Sequence, residues 1–261
     1  MRKSILAASM LGLMLSAGSS IADSHDAAMR EYEAALNLTP DLENGKKVYR
    51  VCTVCHTPEG WGLESGAYPQ VAGQLRTVII KQLADIRARN RDNPTMVPFT
   101  SPQLLGGAQE IADAAAYISQ LPMSPRNGIG PGIDLAWGKK LYEDNCTECH
   151  GENGEGHLED HIPAVYGQHY RYLLRQFEWI KMERRRNADK KMVKQIHNFT
   201  HRDVRAVLDY VSRIRPPADK LAAEGWRNPD FPKFARPSNP HSGAGYTIDQ
   251  RPQRPQRPIR P

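Results

Sequence analysis

Cysteine is scarce in this chain, with four residues in 261. Long apolar runs are scarcer. One stretch, Ile5 to Leu15, is apolar apart from Ser9, and no later segment is apolar enough to span a bilayer. No convincing strand pattern occurs, so the chain lacks the βαβ setting in which a C-x-x-C pair works as a thioredoxin-like redox centre. Charge of one sign is not abundant either. The net charge is +6, and two of its contributors, Arg2 and Lys3, sit at the extreme N-terminus. An excess this small and local does not imply nucleic-acid binding.

What the four cysteines do is specific. They form two boxes, Cys52-Thr53-Val54-Cys55-His56 and Cys146-Thr147-Glu148-Cys149-His150. C-x-x-C-H is the attachment signal of a c-type haem. Two thiols at that spacing reach the two vinyl groups on one haem edge, and the following His lies under the iron. Two covalently attached haem c groups are therefore expected, on Cys52 and Cys55 and on Cys146 and Cys149, with His56 and His150 as proximal iron ligands. No cysteine is left for a disulfide, a catalytic thiolate or a distal ligand. A zinc ribbon also uses paired C-x-x-C boxes, but it needs no His after both and usually places them much closer together. The propionates of two haems bring the holoprotein nearer neutrality than the polypeptide.

The N-terminus reads as a secretory signal, residues 1–22. Arg2 and Lys3 are its basic start, Ile5 to Leu15 its apolar core, and Ser20-Ile21-Ala22 its cleavage site. An uncleaved anchor is the alternative, and the apolar run is short for one. Export agrees with the boxes, because thioether attachment takes place on the exported side in bacteria. The periplasm is the expected location.

The chain repeats itself. The boxes lie 94 residues apart, and the same offset maps Pro69 to Pro163, Gly73 to Gly167, Gln74 to Gln168 and Gln82 to Gln176. Upstream, Gly45-Lys46-Lys47-Val48-Tyr49 matches Gly138-Lys139-Lys140-Leu141-Tyr142 at an offset of 93. Each unit has one plan: a helix into the box, a polar loop, a Pro-x-x-x-Gly-Gln turn, a helix, a variable loop carrying a Met, and a closing helix. The expected helices run from Leu42 to about Arg50, Leu75 to Arg89, Gly107 to Leu121, Tyr170 to Met182 and His201 to Ile214. Thr39 is the expected cap of the first helix, with Pro40 in its first turn, and Asp134 caps its counterpart. The fold class is all-α. Its parts are a lead-in helix in 23–40, with Met29, Tyr32, Ala35 and Leu36 at helical spacing, a first domain in 41–122, a Pro/Gly linker in 123–133, a second domain in 134–215 and a Pro/Arg-rich extension in 216–261. Trp226, Phe231 and Phe234 can anchor the start of that extension. The Arg-Pro-Gln repeats at its end read as disordered.

An electron carrier needs a second strong iron ligand. Met raises the potential and His lowers it. In the first unit the candidate is Met96, in Asn93-Pro94-Thr95-Met96-Val97-Pro98, where flanking prolines favour an extended presenting loop. In the second it is Met192, 42 residues after His150, as Met96 is 40 after His56. Met182, His197 and His201 are rivals. The flanking prolines are missing there, with Lys194 standing where Pro98 does.

With these features together, the stretch from Leu42 to Arg215 resembles the dihaem cytochrome c4 family. The resemblance implies two small class I cytochrome c folds related by a pseudo-twofold axis, with haems close enough for fast internal transfer. It implies an electron shuttle between a respiratory donor and a terminal oxidase or reductase. By residue it implies Met96 and Met192 as distal ligands, and it places Gly45 with Tyr117, and Gly138 with Tyr210, where first and last helices cross.

Two other functions compete. A haem enzyme, such as a peroxidase or thiosulfate dehydrogenase, would need an open iron and acid/base groups. Glu152, Glu155, His157, Glu159, Asp160 and His161 cluster after the second box, and their plainer reading is a solvated loop. A dedicated cytochrome subunit would dock on a dehydrogenase or membrane complex. Expected partners are thus a dehydrogenase or bc1-type donor and an oxidase or reductase acceptor. The Arg-rich tail and the run from Lys181 to Lys194, including Arg184-Arg185-Arg186, offer an electropositive face to an acidic partner.

Overall fold

The computed structural model describes residues 23–234. The signal segment and the Arg-Pro-Gln tail lie outside the described residues. Within them the chain is helical. There is no strand, only two isolated bridges, Met123 with Leu221 and His157 with Ile162. The helices are α1 (residues 23–36), α2 (Leu42–Tyr49), α3 (Thr53–His56), α4 (Arg76–Arg87), α5 (Pro102–Leu105), α6 (Ala108–Gln120), α7 (Leu135–Asn145), α8 (Thr147–His150), α9 (Tyr170–Lys181), α10 (Lys190–Ile196) and α11 (His201–Arg213). The helices expected from the periodicity end within two residues of these bounds.

Two expected caps are corrected. Asp41, not Thr39, starts α2. Its carboxylate accepts the backbone N–H groups of Glu43 and Asn44 at 2.9 and 3.1 Å, which satisfies donors that a first helical turn leaves free. Asp134 precedes α7, but with φ 57° its side chain makes no cap bond. It pairs instead with Arg202, at 2.9 and 3.3 Å.

Each half is built on a crossing of its first and last long helices, α2 on α6 and α7 on α11. Glycine makes the crossing possible. A Cβ on Gly45 would lie 2.2 Å from the Asp113 carbonyl oxygen, and one on Gly138 would lie 2.1 Å from that of Ala206. Packed beside these contacts, as tilted ring pairs, are Tyr49 with Tyr117, centroids 5.5 Å apart, and Tyr142 with Tyr210, at 5.8 Å. The expected Gly–Tyr crossings are therefore present in both halves. The first core gathers Tyr49, Ile80, Ile111, Ala115 and Ile118, the second Tyr142, Phe177, Ile196, Val207 and Val211. Asp113, fully buried, ties the first crossing by accepting from the Asp41 N–H and from the amides of Asn44 and Gln109, at 2.7–2.8 Å.

The halves meet through the Pro-x-x-x-Gly-Gln turns. Gly73 and Gly167 both adopt positive φ, 68° and 63°, which turns the chain and is costly for other residues. The glutamines that follow then read the opposite turn. Gln74 donates to the Ala164 carbonyl at 2.9 Å and accepts from the Ala164 N–H at 3.0 Å. Gln168 donates to the Gln70 carbonyl at 2.9 Å and accepts from the Gln70 N–H at 3.0 Å. The repeat offset carries Gln74 onto Gln168 and Gln70 onto Ala164, so the two pairings are one interaction related by a pseudo-twofold axis. Gln168 is 8% exposed. Gln168→Ala leaves the Gln70 N–H and C=O buried without these partners, and the expected loss of stability is about 2–3 kcal/mol, read as a lowered thermal midpoint.

The ends of the described chain cross between units. Tyr32 and Ala35 of α1 enter the first core, and the Tyr32 hydroxyl also meets His161 Nδ1 of the second half at 3.1 Å. The lead-in helix therefore spans both halves. Residues 216–234 return to the first half as a strap. Phe231 is buried in the first core, and Trp226 and Phe234 pack against it, as their apolar character suggested. Asn228 donates to the Pro58 carbonyl at 2.6 Å, and Asp230 takes Lys46 at 2.7 Å and the Tyr117 hydroxyl at 2.8 Å.

Candidate haem sites

Each box is a single helical turn. In the first, the N–H groups of Cys55 and His56 donate to the Cys52 carbonyl at 3.2 and 2.9 Å; in the second, those of Cys149 and His150 donate to Cys146 at 3.3 and 2.8 Å. A helical turn puts residues three and four apart on one face, so both thiols and the imidazole face the same way. The chain then reverses with positive φ, 65° at Thr57 and 79° at Gly151. The last tyrosine of the preceding crossing secures that reversal. Tyr49 donates to the Thr57 carbonyl at 2.8 Å, and Tyr142 to the Gly151 carbonyl at 2.7 Å.

The imidazoles are set for metal ligation. His56 Nδ1 lies 3.0 Å from the Pro69 carbonyl oxygen, and His150 Nδ1 lies 3.1 Å from that of Pro163. A carbonyl can only accept, so Nδ1 carries the proton in both rings and Nε2 keeps its lone pair. Burial pushes both imidazole pKa values below the usual range, against the smaller opposite pull of those carbonyls. Both rings are thus neutral at pH 7. Burial, with the neighbouring thiol, pushes Cys52 and Cys146 up to about 12. Such positions disfavour thiolates and suit neutral thioethers, so the donor set fits a covalently held haem. Among the described residues no group of three or more His, Cys, Asp and Glu is gathered that could hold a free metal ion, and the two boxes do not converge on one site.

The distal candidates stand differently from the expectation. Met96 is partly buried, but its segment is not extended. It precedes a 3-10 turn, Val97–Thr100, and its carbonyl accepts the N–H groups of Phe99 and Thr100 at 3.0 and 3.1 Å. Met192 lies in the first turn of α10 rather than in a loop. Asp189 caps that helix, accepting from Lys191 and Met192 N–H at 2.7 and 3.2 Å. Without the prolines the segment is free to wind. Met192 packs against the second core, whereas Met182 is 59% exposed and His197 and His201 are exposed.

The acidic loop after the second box does not form a catalytic cluster. Glu152, Glu155, Glu159 and Asp160 are exposed, and the exposed His157 is paired with Asp160 at 2.8 Å. His161 turns away to Tyr32. The basic run is also divided. Arg184, Arg186, Lys190, Lys191 and Lys194 are exposed, but Arg185 turns into the contact between halves and bonds Gln82 and Gln176, each at 3.0 Å. It is removed from the expected docking face because neutral acceptors of both halves converge there. Sequence reasoning missed this residue and Arg91, although the repeat offset maps one onto the other. It missed His169 too, which is buried between the Trp61 carbonyl, 2.7 Å away, and the Gly128 N–H, 3.0 Å away. No helix among the described residues is long and apolar enough to cross a membrane.

Comparison with known proteins agrees with this geometry. A cytochrome c family model matches residues 135–215. Cytochrome c4 of Pseudomonas aeruginosa is 29% identical over 182 residues, covering 67% of this chain and 89% of that protein. The crystal structure of reduced recombinant cytochrome c4 from Pseudomonas stutzeri superposes with a TM-score of 0.59 at 26% identity, over 68% of this chain and all of that one. A thiosulfate dehydrogenase from Marichromatium purpuratum superposes with a TM-score of 0.56 at 25% identity, over 67% of this chain and 40% of that one. The paired haem boxes, the duplicated helical halves and these similarities agree: the chain is similar to the dihaem cytochromes c4 and is a dihaem c-type cytochrome of electron transfer.

Proposed function

We propose that the chain is a periplasmic electron shuttle with one haem c in each half, residues 41–122 and 134–215. Cys52 and Cys55, and Cys146 and Cys149, form the thioethers. His56 and His150 are the proximal ligands, and Met96 and Met192 the distal ones. The observation that carries this reading is the repeated lock of each box histidine on a proline carbonyl. Each lock fixes the tautomer, aims Nε2 and raises the ring's basicity as a ligand.

When bound, each haem iron supplies a one-electron couple whose potential the axial ligands set. The chain's own residues hold that couple in a constant frame. The Tyr49 and Tyr142 hydroxyls pin the turn beneath each ring. The reciprocal glutamines keep one half fixed against the other, which favours transfer between sites over reorganisation. Substrate chemistry is not part of the proposal. The loop after the second box offers its acids to water, and no cysteine remains to serve as a distal ligand of the kind found in some thiosulfate dehydrogenases. The donor is a dehydrogenase or bc1-type complex and the acceptor an oxidase or reductase, with the exposed Arg184, Arg186 and Lys190 to Lys194 segment available to an acidic partner. The basic tail, outside the described residues, is a second candidate for that contact.

Spectroscopy on the purified ferric holoprotein tests the assignment. Haem content is expected at two per chain, and the red charge-transfer band of Met–iron bonding at the intensity of two such haems. Intensity for one overturns the assignment at Met192 or Met96; a high-spin second haem overturns the pure shuttle.

A further inference from the structure

Cleavage of the expected leader after Ala22 leaves Asp23-Ser24-His25 as the first three residues of the exported protein. That order has a chemistry of its own. A free α-amine, the main-chain amide nitrogens of the second and third residues, and Nδ1 of a histidine at the third position close fused chelate rings around one metal ion. The four nitrogens then lie in a plane. Nitrogen donors in a square plane suit Cu2+ or Ni2+, and Cu2+ stands highest in the affinity order of divalent first-row metals. A histidine at the second or fourth position does not complete this set of rings. The position therefore matters as much as the residue.

The structure leaves the three residues accessible. Residues 23–36 form α1, and Asp23, His25 and Asp26 at its start are exposed. The His25 side chain is 59% exposed, and its Nδ1 lies 3.4 Å from the carboxylate of Asp26, itself on the surface. That contact is long and easily given up. The anchoring of α1 begins a turn later. Ala28, Tyr32 and Ala35 are buried, Arg87 pairs with Glu31, and Arg76 holds the Leu36 carbonyl at 2.8 Å. Residues 23–26 carry no buried side chain, and helix ends open at little cost. Laying the amides of residues 24 and 25 in the metal plane therefore unwinds the first turn alone. The contacts of Tyr32 with the first core and with His161 stay in place. The positive end of a helix does not itself attract a cation; the chelating nitrogens carry the affinity, and the carboxylates of Asp23 and Asp26 add negative charge beside it. Three of the four donors are main-chain atoms, so no cluster of side chains marks the site.

We propose that residues 23–25 of the exported protein form a four-nitrogen Cu2+ site. Binding displaces one proton from the α-ammonium group and one from each of the two amides, while the imidazole enters neutral. No electron is transferred. Two anionic amide nitrogens in a square plane favour Cu2+ over Cu+. The site therefore holds copper in its oxidised form, apart from the haem couples. The inference rests on the periplasmic reading, through cleavage after Ala22, and not on the axial ligands of either iron.

The test uses holoprotein exported with its own leader. N-terminal sequencing comes first. A first residue other than Asp23 overturns the proposal at its premise, a result distinct from any failure at the metal. Copper(II) chloride is then titrated in the presence of glycine, a weak competitor, and followed by electron paramagnetic resonance before and after ascorbate. Low-spin ferrous haems are silent, so the copper signal stands alone. The expected result is one equivalent of Cu2+ with the hyperfine pattern of four nitrogens, persisting after the haems are reduced. S24P removes one amide N–H and keeps the imidazole, and proline is tolerated in the first turn of a helix. H25A removes the imidazole. Each variant is expected to lose the one-equivalent signal with haem spectra unchanged. Copper bound equally by wild type and S24P overturns the proposal and assigns the metal to a surface histidine such as His157, His197 or His201, all exposed. A protein that starts at Asp23 and shows no four-nitrogen signal overturns it as well.

Discussion

Met192→Ala is expected to lower the potential of one haem by hundreds of millivolts and leave the other close to its original value. Axial ligands tune haem potentials over roughly 0.8 V, and a thioether opposite His favours ferrous iron. Removing it leaves water, or a recruited nitrogen ligand, both of which favour ferric iron. The change is local because the two halves have separate cores, with Met192 packed against the second. The discriminating partner is His197→Ala. That imidazole is exposed at the end of α10, so its loss is expected to move neither potential nor the Met–iron charge-transfer band. A potential that drops in His197→Ala and holds in Met192→Ala would reverse the assignment and make the second site a low-potential bis-His haem.

Gly45→Ala and Gly138→Ala are each expected to destabilise the protein by about 2–3 kcal/mol, a net of two opposed effects. Alanine favours helix over glycine by about 1 kcal/mol. Against this, the new methyl meets backbone, 2.2 Å from the Asp113 oxygen in one half and 2.1 Å from the Ala206 oxygen in the other. A backbone carbonyl inside a helix cannot rotate aside, so the crossing helices must part. Parting them opens the paired tyrosines beside them, and overpacking of this kind costs typically 1–3 kcal/mol and occasionally more. For a chain of this size the thermal midpoint falls by roughly 4–12 °C. The two variants should behave alike, since the two crossings have the same geometry. An unchanged midpoint in either would mean that its helices do not approach as closely as described.

Much of the site was legible from local spacing. Cys52 to His56 and Cys146 to His150 are boxes whose chemistry depends on consecutive residues, and one helical turn suffices to build them. Gly45 and Gly138, Gly73 and Gly167, and Gln74 and Gln168 announced themselves through a constant offset. The helices were legible because their apolar positions recur at the helical period. Less was legible where a short polar segment chooses between alternatives of similar local energy. Asp41 rather than Thr39 caps α2, and the segment around Met192 winds into a helix once Asp189 satisfies its first N–H groups. Arg185 looked like surface because two more arginines flank it; its acceptors come from both halves, one of them 103 residues away.

The sequence by itself determined the cofactor class, the number of haems and the all-α duplicated plan, and it singled out His56 and His150 as the proposed proximal ligands. Those follow from covalent spacing and from repetition, which no tertiary contact is needed to reveal. Only the tertiary structure decided which polar groups meet between the halves: Gln74 with Ala164, Gln168 with Gln70, Arg91 with Arg185, and the 216–234 strap on the first half. Such contacts join residues about a hundred or more positions apart, and desolvation and hydrogen-bond geometry select among many partners of the same chemical type. A sequence pattern records that a glutamine recurs, but only the packed halves determine which carbonyl it reads.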